Sequence, residues 1–173
     1  MKVWRWSQLN LSKVKELLAL LEENSRYDVD TLAGMLNMTV EKVRQLIEEL
    51  EENKIIVKYP ALINWQKLEE NGSVTALIEV KVTPKRDVGF DQVAQRIYRF
   101  PEVKSVYLMS GAYDLAVTVE GKTMKEVAYF VAQKLSTIDS VVSTATHFLL
   151  KKYKHDGVVL EENEDDKRMV VTP

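Results

Sequence analysis

The sequence predicts an α+β chain of two unlike parts: three short helices with a small hairpin, followed by a βαββαβ unit. Three observations carry that expectation. Over residues 12–53, apolar side chains recur at spacings of three and four, the period of helices packed along one face. Over Val74–Val82 the period changes to two, as Val74, Ala76, Ile78, Val80 and Val82 alternate with mostly polar neighbours. Beyond that strand, helical and extended patterns follow in the order helix, strand, strand, helix, strand.

Each element has its own signature. Val14, Leu17, Leu18 and Leu21 share one side of a first helix over residues 12–23. Asp28 can accept from the free amides of a second helix containing Leu32, Ala33 and Leu36, which Asn37 can end in left-handed geometry. Thr39 caps a third helix over residues 39–53, with Val40, Val43, Ile47 and Leu50 on its inner side. Residues 55–58 and 62–65 are β-prone and flank Tyr59-Pro60-Ala61, predicting a small hairpin or wing. Three helices and a wing have the layout of a winged helix-turn-helix.

In the second part, Phe90, Val93, Ile97 and Phe100 mark a helix, residues 103–109 a strand, 110–113 a tight turn and 114–120 a strand. Thr123 followed by Glu126 has the capping-box spacing for a helix burying Met124, Val127, Ala128, Val131, Ala132 and Leu135; a last strand covers residues 141–150. This order is ferredoxin-like, with both helices on one face of an antiparallel sheet. Leu77, Tyr107 and Phe148 are expected to make the second face one that something covers. The expected division is residues 1–65 for the winged head, 66–73 for a polar linker, 74–154 for the sheet domain, and 155–173 for an acidic, mobile tail with Glu161, Glu162, Glu164, Asp165 and Asp166.

Composition excludes several classes. Six glycines, four prolines and 46% hydrophobic residues indicate a chain able to form a core. No run of about 18 apolar residues is present, and the start, with Trp4 and Trp6 among charged residues, lacks a secretion signal, so a cytoplasmic protein is expected. The absence of cysteine removes disulfides and thiolate chemistry. His147 has no second ligand at metal spacing, so no metal and no cofactor are expected. Trp4 and Trp6 receive no functional role. The net charge of −2 conceals a gradient: residues 1–65 carry −1, residues 74–154 carry +4 and residues 155–173 carry −4.

The strings Phe100-Pro101-Glu102-Val103 and Gly111-Ala112-Tyr113-Asp114, set in a βαββαβ unit behind a helix-turn-helix, resemble the Lrp/AsnC family of feast-famine transcription regulators over residues 12 to about 153. The resemblance implies a regulator that binds double-stranded DNA; with two histidines, one of them in the tail, and no Gly-rich phosphate loop, Ser/His/Asp set or paired carboxylates on one face, no enzyme is expected. It implies dimers formed through the C-terminal sheets, assembled further into tetramers or octamers, with an amino acid or similar effector bound between dimers. The implied effector residues are Ser110, Gly111, Ala112, Tyr113 and Asp114 in the turn, with Thr144 and Thr146 on the last strand.

The residues themselves allow two readings. A turn with Gly111 can offer amides to a carboxylate while Asp114 holds an ammonium group. Alternatively, Gly111 supplies a positive φ and Asp114 accepts an amide within the turn. On the first reading, Asp114→Ala spares folding and abolishes the effector response. Thr144 and Thr146 also fit as ordinary β-branched strand residues.

For DNA, helix 3 is the candidate for the major groove, with Thr39, Lys42, Arg44 and Gln45 as contact residues, and Lys54 and Lys58 adding phosphate contacts. Glu41, Glu48, Glu49, Glu51 and Glu52 crowd the same helix, so affinity per monomer is expected to be weak and multivalency to compensate. Two competing readings stand beside the regulator. One is a siroheme-type tetrapyrrole decarboxylase of similar two-domain layout, which needs histidines and arginines converging on a propionate. The other is an effector-binding protein that has lost DNA binding.

Overall fold

The first three helices are bounded by their own side chains. In the computed structural model, which describes residues 8–68, 72–83 and 89–160, they are α1 (Gln8–Glu23), α2 (Val29–Leu36) and α3 (Val40–Glu52). Asp28 Oδ1 accepts from the Thr31 amide at 2.7 Å, and this hydrogen bond holds the Asp28 carboxyl below its usual pKa. Asn37 ends α2 at φ 52°, and Thr39 caps α3, its Oγ1 accepting from the Lys42 amide at 3.4 Å. The three helices close over Val14, Leu17, Leu32, Leu36, Val43, Leu46 and Leu50. Each fully buried leucine here contributes about 1.5–3 kcal/mol of transfer free energy.

The expected wing strands do not form. Residues 54–64 contain no paired strand, and Trp65–Lys67 is a single 3₁₀ turn. An isolated two-stranded ribbon gains too little on its own, and Pro60 removes a donor from its middle. Instead, the Tyr59 hydroxyl donates to Glu51 Oε1 at 2.7 Å, tying the segment back to α3.

The chain divides into two units after Ile63. The second unit holds β1 (Val74–Val82), α4 (Phe90–Ile97), β2 (Val103–Leu108), β3 (Leu115–Gly121), α5 (Met124–Phe130) and β4 (Val141–Phe148). The four strands are antiparallel in the order β2-β3-β1-β4. One face packs Ala76, Ile78, Val80, Leu115, Val117 and Val119 against Val93 and Ile97 of α4 and Val127 and Phe130 of α5. The α5 stripe is narrower than the sequence predicts: Met124, Ala128 and Ala132 are exposed, while Phe130 is buried and meets Phe100 edge-on at 5.5 Å. Ala132 lies in a π-helical turn, Val131–Leu135, where the Ser136 amide donates to Val131 O five residues back and the side chains are rotated from their α-helical positions. Thr123 caps α5 as expected, but Glu126 returns the bond to the Lys122 amide, one residue before the cap.

The other sheet face carries Leu77, Glu79, Tyr107, Ala116, Ala145 and His147, as the strand register requires. Leu77 and Tyr107 are exposed on it. Phe148 is not on this face, because its pairing with Ala76 turns it toward the helices, where it packs on the core. Residues 155–160, expected to begin a mobile tail, take part in a small hairpin of β5 (Lys154–His155) and β6 (Val158–Val159). They are joined by Asp156 at φ 44° and Gly157 at φ 80°, the geometry that an Asp-Gly hairpin favours. Asn64 Nδ2 donates to Leu160 O at 2.8 Å and the second unit begins at Asn64, so Asn64 and Trp65, expected at the end of the winged head, belong to the second unit. The expectations for Trp4, Trp6 and the acidic cluster at Glu161, Glu162, Glu164, Asp165 and Asp166 fall outside the described residues. Among the described residues, no helix is long and apolar enough to cross a membrane.

Candidate DNA interface and effector turn

At about 100° per residue, the α3 residues Val43, Leu46 and Leu50 fall together and are buried. Arg44 and Gln45 lie on the side away from them and are exposed, between Glu41 and Glu48 one turn to either side. Lys42 is exposed on the flank of the first turn, beside the exposed Thr39 cap. Four expected contact residues therefore share the solvated N-terminal half of α3, the part of a recognition helix that reaches base edges. The glutamates at 41 and 48 share that solvated side and oppose phosphate approach.

Lys54 follows α3 in a left-handed conformation at φ 58°, its amide bonding Glu51 O at 3.0 Å. It thus ends the helix in a geometry usually given to glycine. Lys58 is exposed in the unpaired segment. Beside it Tyr59 is held to Glu51; burial, the Glu51 hydrogen bond and the Glu51 charge push its phenol up to about 12.

In the second unit, the turn between β2 and β3 does something the sequence does not reveal. The β1–β3 ladder ends at Val80 opposite Leu115, and Asp114 continues it with its side chain. The Asp114 amide donates to Val80 O at 3.1 Å, and Asp114 Oδ2 accepts from the Val82 amide at 2.8 Å. Asp114 O accepts from the Met109 amide at 2.8 Å, closing the turn. A carboxylate oxygen thus replaces a backbone acceptor where β1 carries its register shift between Lys81 and Val82. Asp114→Ala, the variant expected to spare folding, therefore strips the buried Val82 of its amide's acceptor and is predicted to lose stability.

Gly111 departs from the structural alternative considered for it. It does not take a positive φ, and a Cβ built on it meets nothing within 4 Å. Neither backbone conformation nor packing within this chain requires glycine there. Ser110, Gly111 and Ala112 are exposed, and Tyr113 is half-buried.

Thr144 and Thr146 lie on the edge strand β4, opposite Val80 and Ile78 and therefore on the helix-covered face, both half-buried. Thr144 is in line with Leu115 across β1, two strand spacings or roughly 10 Å away. The turn and Thr144 share one end of the sheet, with a strand between them. Among the described residues, no hydrogen bond joins either threonine to the turn.

Sequence reasoning missed the pairing of Lys134 with Glu102. Lys134 Nζ lies 2.5 Å from Glu102 Oε1 and 5.8 Å from the centre of the Phe100 ring. The lysine hydrogen bond holds the Glu102 carboxyl below its usual pKa. The Phe-Pro-Glu-Val string marked the place, but only the π-turn of α5 brings Lys134 to it. His147 Nε2 lies 3.4 Å from Glu79 Oε1, and His155 Nε2 lies 3.9 Å from Asp156 Oδ2, so each histidine faces a carboxylate.

Comparison with known proteins accords with this architecture. Residues 75–159 match the family model of the Lrp/AsnC ligand-binding domain. The chain is 59% identical over 161 residues to the HTH-type transcriptional regulator YugG of Bacillus subtilis, covering 93% of this chain and 97% of that one. Among solved structures, the transcriptional regulator NMB0573 of Neisseria meningitidis, crystallised in complex with L-Met, aligns with a TM-score of 0.67 at 23% identity, covering 87% and 94% of the two chains. AsnC of E. coli aligns at 0.65 with 18% identity, covering 88% and 97%. At those identities the structures show the shared fold, while the extended match to YugG carries the family: the chain belongs to the Lrp/AsnC family of HTH-type transcriptional regulators.

Proposed function

We propose that this regulator works in the cytoplasm by placing the N-terminal half of α3 in the major groove of double-stranded DNA, with Thr39, Lys42, Arg44 and Gln45 facing bases and phosphates and Lys54 and Lys58 adding phosphate contacts. It assembles as a dimer through the open sheet face around Leu77 and Tyr107, and further as a tetramer or octamer. A small metabolite, an amino acid, biases that assembly or its DNA affinity by binding at Ser110, Gly111, Ala112, Tyr113 and the free oxygen of Asp114, with Thr144 and Thr146 closing the site. The observation that carries the effector reading is the turn itself: Ser110, Gly111 and Ala112 are exposed beside Asp114, whose Oδ2 is taken by Val82, and Gly111, like Gly34, Gly72 and Gly89, has open space where a Cβ would sit, so a ligand or a second copy can approach its backbone closely. The methionine complex of the related fold supports an amino acid as the chemical class.

The test has two parts. Affinity for DNA upstream of its own gene, measured at about 50 and 200 mM salt, is expected to fall a thousandfold or more if several phosphates are neutralised. Absence of binding at the lower salt would favour an effector-binding protein that has lost DNA contact, the reading motivated by Glu41 and Glu48. An amino-acid panel screened by thermal shift is expected to raise the midpoint for one ligand class. Gly111→Val is expected to keep the fold and lose that shift; a retained shift removes the turn from the site. The decarboxylase reading gains no support from two histidines that each face a carboxylate of this chain.

A further inference from the structure

The cations that DNA requires are unevenly spread along the chain. Residues 1–65 carry a net charge of −1, and Glu41 and Glu48 flank the polar side of α3, whereas residues 74–154 carry +4. Two lysines of the second unit are already engaged, Lys104 by Glu120 at 3.2 Å and Lys134 by Glu102. One run stands apart. Lys151, Lys152 and Lys154 are the only three cationic side chains that fall within four successive residues, and no acidic residue occurs from Ser140 to His155.

That run leads into a hairpin held at its base. Lys154 pairs with Val159 and His155 with Val158 across the Asp156-Gly157 turn, and the Leu160 amide donates to Tyr153 O at 3.0 Å. Asn64 Nδ2 fastens the same end by donating to Leu160 O. Lys151 Nζ lies 4.8 Å from the centre of the Tyr153 ring, which is itself 66% exposed. Lys154 is exposed and Lys152 half-buried; among the described residues, neither ammonium has a hydrogen-bond or ion-pair partner. The hairpin's one carboxylate, Asp156, lies 3.9 Å from His155 Nε2. Positive charge on the ribbon is thus left for an anion from outside it. A two-stranded ribbon is slim enough to lie in the major groove, and a lysine meets a phosphate as a point charge.

We propose that the hairpin of residues 151–160 is a second DNA-contacting element, in which Lys152 and Lys154 neutralise phosphates of the duplex that α3 reads. The proposal rests on the DNA-binding reading above, but not on which residues of α3 meet bases. Charge complementarity singles out DNA: the glutamates of α3 oppose its phosphates, and the ribbon supplies lysines that no carboxylate among the described residues engages. Because phosphate contacts carry no sequence information, the hairpin adds affinity for any duplex and leaves the choice of operator to the head.

The test is binding of the full-length protein to the duplex upstream of its own gene and to a shuffled duplex of equal length, followed by fluorescence anisotropy between about 50 and 200 mM salt. Lys152→Gln with Lys154→Gln is expected to lower the salt slope by about 1.8 for each hairpin engaged, two phosphate contacts at about 0.9 each. The variant then loses about tenfold less affinity than the wild type across that salt range. Its loss at low salt is expected to be equal on both duplexes, whereas Arg44→Ala weakens the native duplex more than the shuffled one. Lys152→Arg with Lys154→Arg is expected to keep the wild-type slope. An unchanged slope in the glutamine variant overturns the proposal and leaves these lysines the task of keeping the ribbon's edges from pairing with other chains. It is equally overturned by a slope that arginine lowers as much as glutamine, by an effect confined to the native duplex, or by absence of binding to either duplex at about 50 mM salt. A gain in affinity overturns it too, and marks the lysines as partners of the acidic residues at 161–166. Failure of the α3 reading alone leaves the glutamine effect standing while Arg44→Ala distinguishes the two duplexes as the wild type does.

Discussion

The helical head and the sheet unit hold their backbones by different means. In the head, Asp28, Asn37 and Thr39 close helix ends with groups three or four residues away. In the sheet unit, Thr123 and Glu126 cap α5 in the same local way, but further work is done across long stretches of chain: Asp114 bonds Val82, Lys134 bonds Glu102, and Asn64 bonds Leu160. A local cap stabilises one helix end and can be replaced by water. A distant side chain completing a ladder is the sole partner of a group the fold has buried, so its loss costs more.

Substitutions at four positions can break or sharpen that contrast. Asp114→Ala is expected to cost the most, about 1–3 kcal/mol, by leaving the Val82 amide unsatisfied. Asp114→Asn, which keeps an acceptor, should recover much of that loss, and chemical denaturation followed by amide exchange at Val82 measures both. Equal stability of the alanine and asparagine variants would show that the ladder does not depend on this side chain.

Thr39→Ala is expected to cost about 0.5–1 kcal/mol, near the lower end for an N-cap because its hydrogen bond is long at 3.4 Å. The loss should appear as fraying of the first turn of α3 in hydrogen exchange. If it matched the Asp114→Ala loss, local and distant contacts would not differ as argued. Lys54→Gly acts in the opposite direction, a gain of up to about 1 kcal/mol from relieving a left-handed lysine at φ 58°, read from the denaturation midpoint.

The smallest effect comes from Tyr59, and it is a pH effect. Its pKa is raised from 10.0 to about 12 in the folded head, so the contribution is fully present below pH 10, where both states hold the proton. As pH rises from 10 towards 12 the unfolded chain releases that proton first, and stability falls. Tyr59→Phe is expected to remove this part of the alkaline loss, measured as the difference between the two proteins' stability curves over that range. Parallel curves would mean that the Glu51 hydrogen bond has no weight in solution.

The same contrast explains what could be read in advance. Both helix-turn-helix caps and the strand Val74–Val82 were legible because a cap is specified within four residues and a half-buried strand within two. The Asp-Gly step at Asp156 and Gly157 carried an equally local signal, overridden in the sequence reading by the acidic run that follows it. The wing was misread because residues 55–58 and 62–65 have β propensity, and propensity does not supply a partner strand. Of the two candidate sites, the exposed half of α3 followed from helical period alone. The turn's residues could be named, but not their work.

What the sequence determined by itself is therefore the set of local decisions: the boundaries that Asp28, Asn37 and Thr39 set in the head, the βαββαβ order, and which polar residues of α3 meet solvent. Tertiary structure decided the rest. Pairing register turned Phe148 toward the helices, the π-turn carried Lys134 to Glu102, and the end of the β1–β3 ladder gave one oxygen of Asp114 to Val82. The physical reason is separation along the chain: these contacts join groups 30 or more residues apart, 32 for Lys134 with Glu102 and for Asp114 with Val82, or hang on a one-residue choice of register. No pattern of neighbouring residues encodes either.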